Sequence, residues 1–543
     1  MSPVRLCSRA SLRHECQESR SRDRLSLILL SPMKKQMVLK ASIAALAVVA
    51  SLYTGTSVWI GGQAQTRYES WLADILPVID PAGTSTRTYR KGIFSSEATL
   101  SLALPAAGEP APPSAPLRVN IVSRIQHGPV VGWRPAAARI ETRIDSVDGG
   151  NENFRALFAD VASPVVRGVA SFTGAWEGGL HWSAGRLGDA TTAARWSDLN
   201  YLFAGSADGK RIEGSVTWPT FNLDITPPVV AADPDIRIEG EEPAEPPTPE
   251  PSMHLALAGL NATFHSERQT PAAPWLLASG KAAGTIESLT VLRGDSKVPV
   301  LTLQALELQS DTQVDASQKI GVMQTVAGRG TLLGTALEAF RYHVALERLD
   351  GAALLALQEA VVLTSRTPPS GGTPEVQADP ALAAAMGQAL GRFLDAGPAY
   401  RVQLDATVGG KAGQAKGHVS LLPAPAGQAA ENGALPPELL MLAAFQRLEG
   451  AVSLRFPKSW PALFVAREPN SAESAAVLDM TLGMLEAQSL INADGEAYNV
   501  DIQFSQGVTR VNGKPLFGDL APTTRMPTPR SRGSRSRGRA TLQ

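Results

Sequence analysis

Leu301 to Leu308 reads Leu-Thr-Leu-Gln-Ala-Leu-Glu-Leu, with Leu301, Leu303, Ala305 and Glu307 alternating against Thr302, Gln304, Leu306 and Leu308. Successive side chains on a strand point to opposite faces, so a period of two predicts a half-buried antiparallel strand. The pattern recurs on both sides of this stretch. Ala98, Leu100, Leu102 and Leu104 alternate with Thr99, Ser101 and Ala103, and Ile140 and Ile144 sit in a looser version. Leu117–Ile125, Leu255–Leu257 leading into Ala262–His265, Arg401–Val408, Ala451–Phe456 and Tyr498–Phe504 read alike. Glycine and Asx residues between them suit hairpins. Asn512-Gly513, flanked by Thr509–Val511 and Lys514–Leu516, is the clearest such turn.

Helical spacing enters mainly in the second half. Leu349, Ala353, Leu357 and Ala360 predict a helix over Leu346–Val361. Ala381–Leu394 opens on Asp379-Pro380, a favourable helix start. Pro437–Leu448 and Glu473–Ala487 follow. The expected class is α+β: an N-terminal transmembrane helix, then a large body dominated by antiparallel β-sheet with several helices in its second half.

The transmembrane expectation rests on Ala41 to Thr66, 26 residues without a charge, entered through Lys34, Lys35 and Lys40. A helix of about 20 apolar residues spans a hydrocarbon core of about 30 Å. Tyr53 and Trp59 lie toward the far end, where amphipathic aromatics favour the lipid–water interface. Lysines before the segment predict a cytoplasmic N-terminus and an exported body. Gly62-Gln63-Ala64 offers a small-x-small cleavage site, but the apolar stretch exceeds the ~7–15 residues of a signal-peptide core, so an uncleaved anchor over residues 41–62 is expected.

Both ends differ from the rest. Residues 1–32 are Ser/Arg-rich, and Met33-Lys34-Lys35 resembles a bacterial export start, which makes Met33 or Met37 an expected translation start. Residues 518–543 carry Arg525, Arg530, Arg532, Arg535, Arg537 and Arg539 among Ser, Gly and Pro, the composition of a disordered tail. Residues 1–40 hold nine basic and three acidic residues, and 518–543 hold six and one. Taking these from the totals of 50 and 51 leaves 35 basic and 47 acidic residues, a formal net charge of −12 over residues 41–517. Such a body repels phosphate backbones, so nucleic acid is not an expected partner. Both cysteines, Cys7 and Cys16, precede Met33, which leaves the body without thiolate chemistry or disulfides.

Residues 231–252 are acidic and packed with proline, a composition too polar to fold on its own. They divide the expected body into a β-rich region over 67–230 and an α+β region over 253–517.

Three short motifs stand in order behind the anchor: Tyr89-Arg90-Lys91-Gly92-Ile93-Phe94-Ser95-Ser96, Gln126-His127-Gly128-Pro129, and Val511-Asn512-Gly513-Lys514-Pro515-Leu516. Over Met33 to Phe517 the chain resembles the bacterial YdgA-like family. That resemblance implies a single-pass inner-membrane protein with a large periplasmic body and no known catalytic residues. Each motif also reads as folding punctuation: Gly92 as a turn or bulge, Pro129 as a strand stop, and Asn512-Gly513 as a hairpin turn.

Catalytic signatures are sparse. The body histidines, His127, His181, His254, His265, His343 and His418, show no metal-binding spacing on a helix. His254 and His265 are placed to meet across a hairpin, without a third ligand. Asp145–Asn153 clusters oxygen ligands but lacks the spacing of a calcium loop. Gly328-Arg329-Gly330 misses the dinucleotide fingerprint and reads as a turn. Trp176, Trp182 and Trp196, with Tyr201 and Phe203, suit either sheet-on-sheet packing or a lipid- or sugar-contacting face. No residue is assigned a catalytic, cofactor-binding or metal role, and no cofactor is expected. The expected function is non-enzymatic support of the envelope, with the inner membrane, lipid and a second copy of the chain as partners. The alternative is an envelope hydrolase or glycan-acting enzyme using paired carboxylates, which leave no readable spacing.

Overall fold

A helix of 48 residues, α1 (Pro32–Ile79), leads into 22 strands that form one sheet among the described residues. The computed structural model describes residues 32–80, 83–104, 117–148, 161–188, 191–226, 252–294, 298–366, 380–423, 437–465, 471–505 and 507–516. The Arg-rich ends and most of 231–252 lie outside these, as do the side chains of α1 before Ala50. Among the described residues no helix is long and apolar enough to cross a membrane.

The strands are β1 (Thr86–Lys91), β2 (Ser95–Leu104), β3 (Leu117–His127), β4 (Ala138–Asp148), β5 (Val165–Ala170), β6 (Trp176–Trp182), β7 (Gly185–Gly188), β8 (Thr192–Trp196), β9 (Leu199–Gly205), β10 (Arg211–Ile225) and β11 (Met253–Arg268). They continue as β12 (Ala278–Arg293), β13 (Leu301–Val314), β14 (Lys319–Leu332), β15 (Thr335–Asp350), β16 (Ala399–Val408), β17 (Lys411–Leu421), β18 (Leu448–Pro457), β19 (Asn492–Asp494), β20 (Ala497–Ser505), β21 (Val508–Val511) and β22 (Lys514–Pro515). Helices α2 (Gly351–Arg366) and α3 (Pro380–Asp395) form a hairpin between β15 and β16. Helix α4 (Pro437–Gln446) precedes β18; α5 (Trp460–Val465) and α6 (Ser471–Ala487) follow it.

Every described pairing is antiparallel, and almost every strand pairs with its neighbours in sequence. Strands β6–β7 and β8–β9 make one long hairpin in unbroken register, from Trp176 opposite Gly205 to Gly188 opposite Ala193. Its other side lies along β10. Strands β10 and β11, which flank residues 231–252, pair with each other along their length. The result is a meander, α+β in class and dominated by β-structure. The 14- to 16-residue strands β10 to β15 extend about 50 Å at roughly 3.3 Å per residue.

The opening alternation is broken in one place. Ala305 takes a left-handed φ of +49°, and the β13–β14 register slips between Gln304 and Glu307. This is a β-bulge, two residues opposite one. Leu301 and Leu303 therefore share a face with Leu306 and Leu308. Gly328, read as a turn, lies within β14 opposite the bulge, where Leu306 and Phe340 occupy the space of a missing Cβ. Gly259 of β11 also takes a left-handed φ of +67°, between the Trp218–Leu260 and Thr220–Ala258 pairs, and there the tilted rings of Trp218 and Phe221 meet at 4.9 Å without any slip of the β10–β11 register.

The helix expected from Leu346 begins at Gly351. Leu346 is held in the sheet between Val322 and Tyr400, and Asp350 caps the helix by accepting the Ala353 N–H at 2.7 Å. Arg392 of α3 reaches the same carboxylate at 3.7 Å. Farther along, Asp395 and Arg447 pair at 3.4 Å with side chains only 15 and 16% exposed, tying α3 to the start of β18. Removing one partner of such a pair strands the other charge, at about 3 kcal/mol. Arg447→Ala should shift the urea midpoint accordingly; an unchanged midpoint would show the pair to be dispensable.

Candidate functional site

Residues directly opposite across an antiparallel pair share a face, so the registers show what each face carries. One row runs Tyr201, Val216, Ala262, Gly284, Leu308, Val326, Tyr342, Leu404, Ala415, Leu454, Val500. From β9 to β20 it contains no polar group except two tyrosine hydroxyls. Ten strand spacings of about 4.8 Å give it a contour of about 48 Å. The adjacent row on the same face runs Phe203, Gly214, Phe264, Ala282, Ser310, Gln324, Val344, Val402, Gly417, Val452, Ile502, apolar except at Ser310 and Gln324.

The opposite face is polar. Its corresponding row is Leu202, Ser215, Thr263, Ala283, Gln309, Thr325, His343, Gln403, Lys416, Ser453, Asp501. Its groups pair across strands: Thr325 Oγ1 with His343 Nδ1 at 3.0 Å, Lys281 with Asp311 at 3.7 Å, Arg401 with Glu347 at 3.2 Å and Arg167 with Glu141 at 3.1 Å. Gln403 and Gln414 both donate to Asp405, and these bonds outweigh its slight burial to hold that carboxyl below its ordinary range. An open trough of about 1430 Å³ lies on this side, lined among others by Glu177, Glu213, His265, Lys281, Asp311 and His343. Glu177 and Glu213 stand two strands apart in one row of this trough.

Cover over the apolar face is uneven. At β1–β3 helix α1 lies on it: Leu72 and Ala98 are buried, and Tyr68 meets Tyr89 at 5.9 Å. Over β15–β18 it is open, with Tyr342, Leu346, Tyr400, Leu404, Val419 and Val452 each 37–43% exposed. At the far end Phe445 of α4 packs on Phe504 at 5.3 Å. Met441 and Leu442 of α4 stay exposed, as do Val477, Met480 and Met484 of α6 at helical spacing. Among the described residues nothing covers this stretch, and exposed apolar surface of this extent is the kind that marks interaction sites.

Aromatic rings and glycines build the face. The indole of Trp176 lies across Gly205, Phe203 across Gly178, Phe264 across Gly214 and Trp196 against Gly185. Trp176, Phe203, Tyr201 and Phe264 form a chain of ring contacts at 5.5–5.9 Å. The tryptophans thus pack along a single sheet. No second sheet is present among the described residues.

The histidines separate. His254 and His265 lie on one strand, β11, eleven residues apart, and His254 contacts Asp224 of β10. Among the described residues no group of His, Cys, Asp or Glu is placed to hold a metal. Asp145 and Asp148 face Arg143 and Asn120 respectively, and residues 149–153 lie outside the described residues. His127 is buried between α1 and the sheet. Nδ1–H donates to the Ser57 carbonyl at 3.0 Å, Nε2 accepts from the Ser96 hydroxyl at 3.1 Å, and Gly61 packs on the ring.

Burial, aided by Lys91, holds the His127 imidazole below its ordinary 6.5. Protonation therefore favours the unfolded state, and stability falls as pH drops through 6.5 toward the lower folded value. Asp80 behaves oppositely. Burial alone would raise its carboxyl, but bonds from Ser85 and Thr84 hold it below 3.8, so its contribution is lost only in stronger acid. The melting temperature should decline below pH ~6.5, and His127→Gln should flatten that decline. A wild-type profile flat through this window would contradict the assignment.

A continuous antiparallel meander with one apolar and one polar face defines the class: an amphipathic β-sheet protein without an evident catalytic constellation among its described residues. The chain belongs to the bacterial protein family of unknown function DUF945, which matches residues 33–517. No curated protein and no solved structure matches it.

Proposed function

We propose that this is a membrane-anchored periplasmic protein that handles lipid, holding acyl chains on its apolar sheet face in support of envelope structure or assembly. The observation that carries the reading is the apolar row from Tyr201 to Val500, left open where it crosses β15 to β18. Ten methylenes laid on that face would contribute about 8 kcal/mol. The inner-membrane, non-enzymatic part of the reading draws on the uncharged run Ala41–Thr66, the lysines before it, and the YdgA-like order of motifs.

Site-specific photocrosslinking in cells tests it. A benzophenone amino acid at Leu404 or Val452 should yield lipid adducts, and the same probe at Gln403 or Lys416, on the polar face, should not. Equal labelling of both faces, or of neither, would refute lipid handling. Adducts with glycan at the trough would favour the carboxylate enzyme instead.

A further inference from the structure

We infer that two turns at the end of the sheet form a collar seated in the headgroup layer of the anchoring bilayer around α1; this rests on the anchored reading above. The turns are Gly92–Phe94, between β1 and β2, and Val130–Arg134, after β3. Ile93, Phe94 and Val130 are 46–52% exposed and Trp133 is 98% exposed. Trp133 sits at φ +65°, in a turn closed by reciprocal backbone bonds between Val131 and Arg134. Bulky residues rarely take that conformation. The turn presents its indole outward.

Both turns are fixed to one level of α1. The Phe94 ring lies 5.7 Å from Tyr53, and the Tyr53 hydroxyl donates to the Val130 carbonyl at 3.0 Å. The His127 N–H donates to the Phe94 carbonyl at 2.9 Å, tying the turns together. That level is set by helix length. Tyr53 stands 18 residues beyond Lys35 in a continuous helix, about 27 Å at 1.5 Å per residue, close to the ~30 Å of a hydrocarbon core. With Lys34 and Lys35 at one interface, Tyr53 and the two turns reach the other, which sets the span earlier than residues 41–62, since Ser57 and Gly61 pack on His127 of the body.

The chemistry there fits headgroups. Trp133, Phe94, Tyr53 and the exposed Trp59 make an aromatic belt. Lys91, against Gly62, Arg134, which closes the second turn, and Arg139, beside Gly132 of that turn, supply cations for anionic lipid.

The test uses the full chain carrying Cys7→Ser and Cys16→Ser, with a single cysteine at Ile93, Val130 or Ala44. Each is labelled with an environment-sensitive fluorophore and reconstituted in phosphatidylethanolamine/phosphatidylglycerol vesicles. Nitroxide lipids then quench from the carbonyl region or from the chain end. The expected result is chain-end quenching at Ala44 and carbonyl-region quenching at Ile93 and Val130. Quenching at Ala44 alone would overturn the collar and leave the anchor standing. No quenching at Ala44 would overturn the anchored reading and the collar with it.

Discussion

Replacing Leu404 and Val452 with glutamate should strip bound lipid from this protein while leaving its sheet folded. Both side chains lie on the open part of the apolar face, 39 and 37% exposed, in adjacent rows. Because each already meets solvent, a carboxylate there can stay hydrated in the lipid-free protein. Against an acyl chain it would have to shed that water, at a cost of several kcal/mol. The cost exceeds what a few methylenes contribute at about 0.8 kcal/mol each, so a fall in recovered lipid of at least tenfold is expected. Circular dichroism should be unchanged. The matching change on the polar face, Gln403→Glu with Lys416→Glu, should retain lipid. Undiminished lipid in the Leu404/Val452 variant would remove the apolar face from the function.

The second large effect concerns folding. Gly205→Val should destabilise by about 3 kcal/mol or prevent folding outright, because a side chain there would overlap the indole of Trp176. In a single sheet the neighbouring strand supplies the packing that a second layer supplies elsewhere, and glycine opposite an aromatic ring lets the ring lie flat on the backbone. Trp176→Ala in the same chain should recover part of the loss, since the two positions act on one space. Equal destabilisation with and without Trp176 would locate the damage elsewhere.

These pairs mark the boundary of what the sequence discloses. Alternation in Ala98–Leu104 or Arg401–Val408 announces strands, and Asn512-Gly513 announces its turn, which forms with φ of +50° and +79°. Local propensity suffices for such elements. Gly205 and Trp176, 29 residues apart, meet only through the β6–β9 register, for which no local residue is a signal. The same holds for the apolar row, whose eleven members come from eleven strands. The bulge at Ala305 was hidden for another reason: alanine gives no hint of a left-handed φ. Yet the leucines on either side, Leu303 and Leu306, sit three apart, the spacing that a one-residue slip produces. His127 stands beside a turn that Gly128-Pro129 announces, but its burial under α1 depends on a helix residue 70 positions upstream.

Because nearly every strand bonds to its neighbours in chain order, the sheet behaves as a ruler of adjustable length. Deleting a whole hairpin such as β16–β17 removes two strands, keeps the direction of every other, and brings β15 beside β18 with the apolar face on the same side. Each such step would change the reach of the face by about 10 Å. A chain built this way can be lengthened or shortened in evolution by duplication or loss of hairpins, without redesign of any fold core.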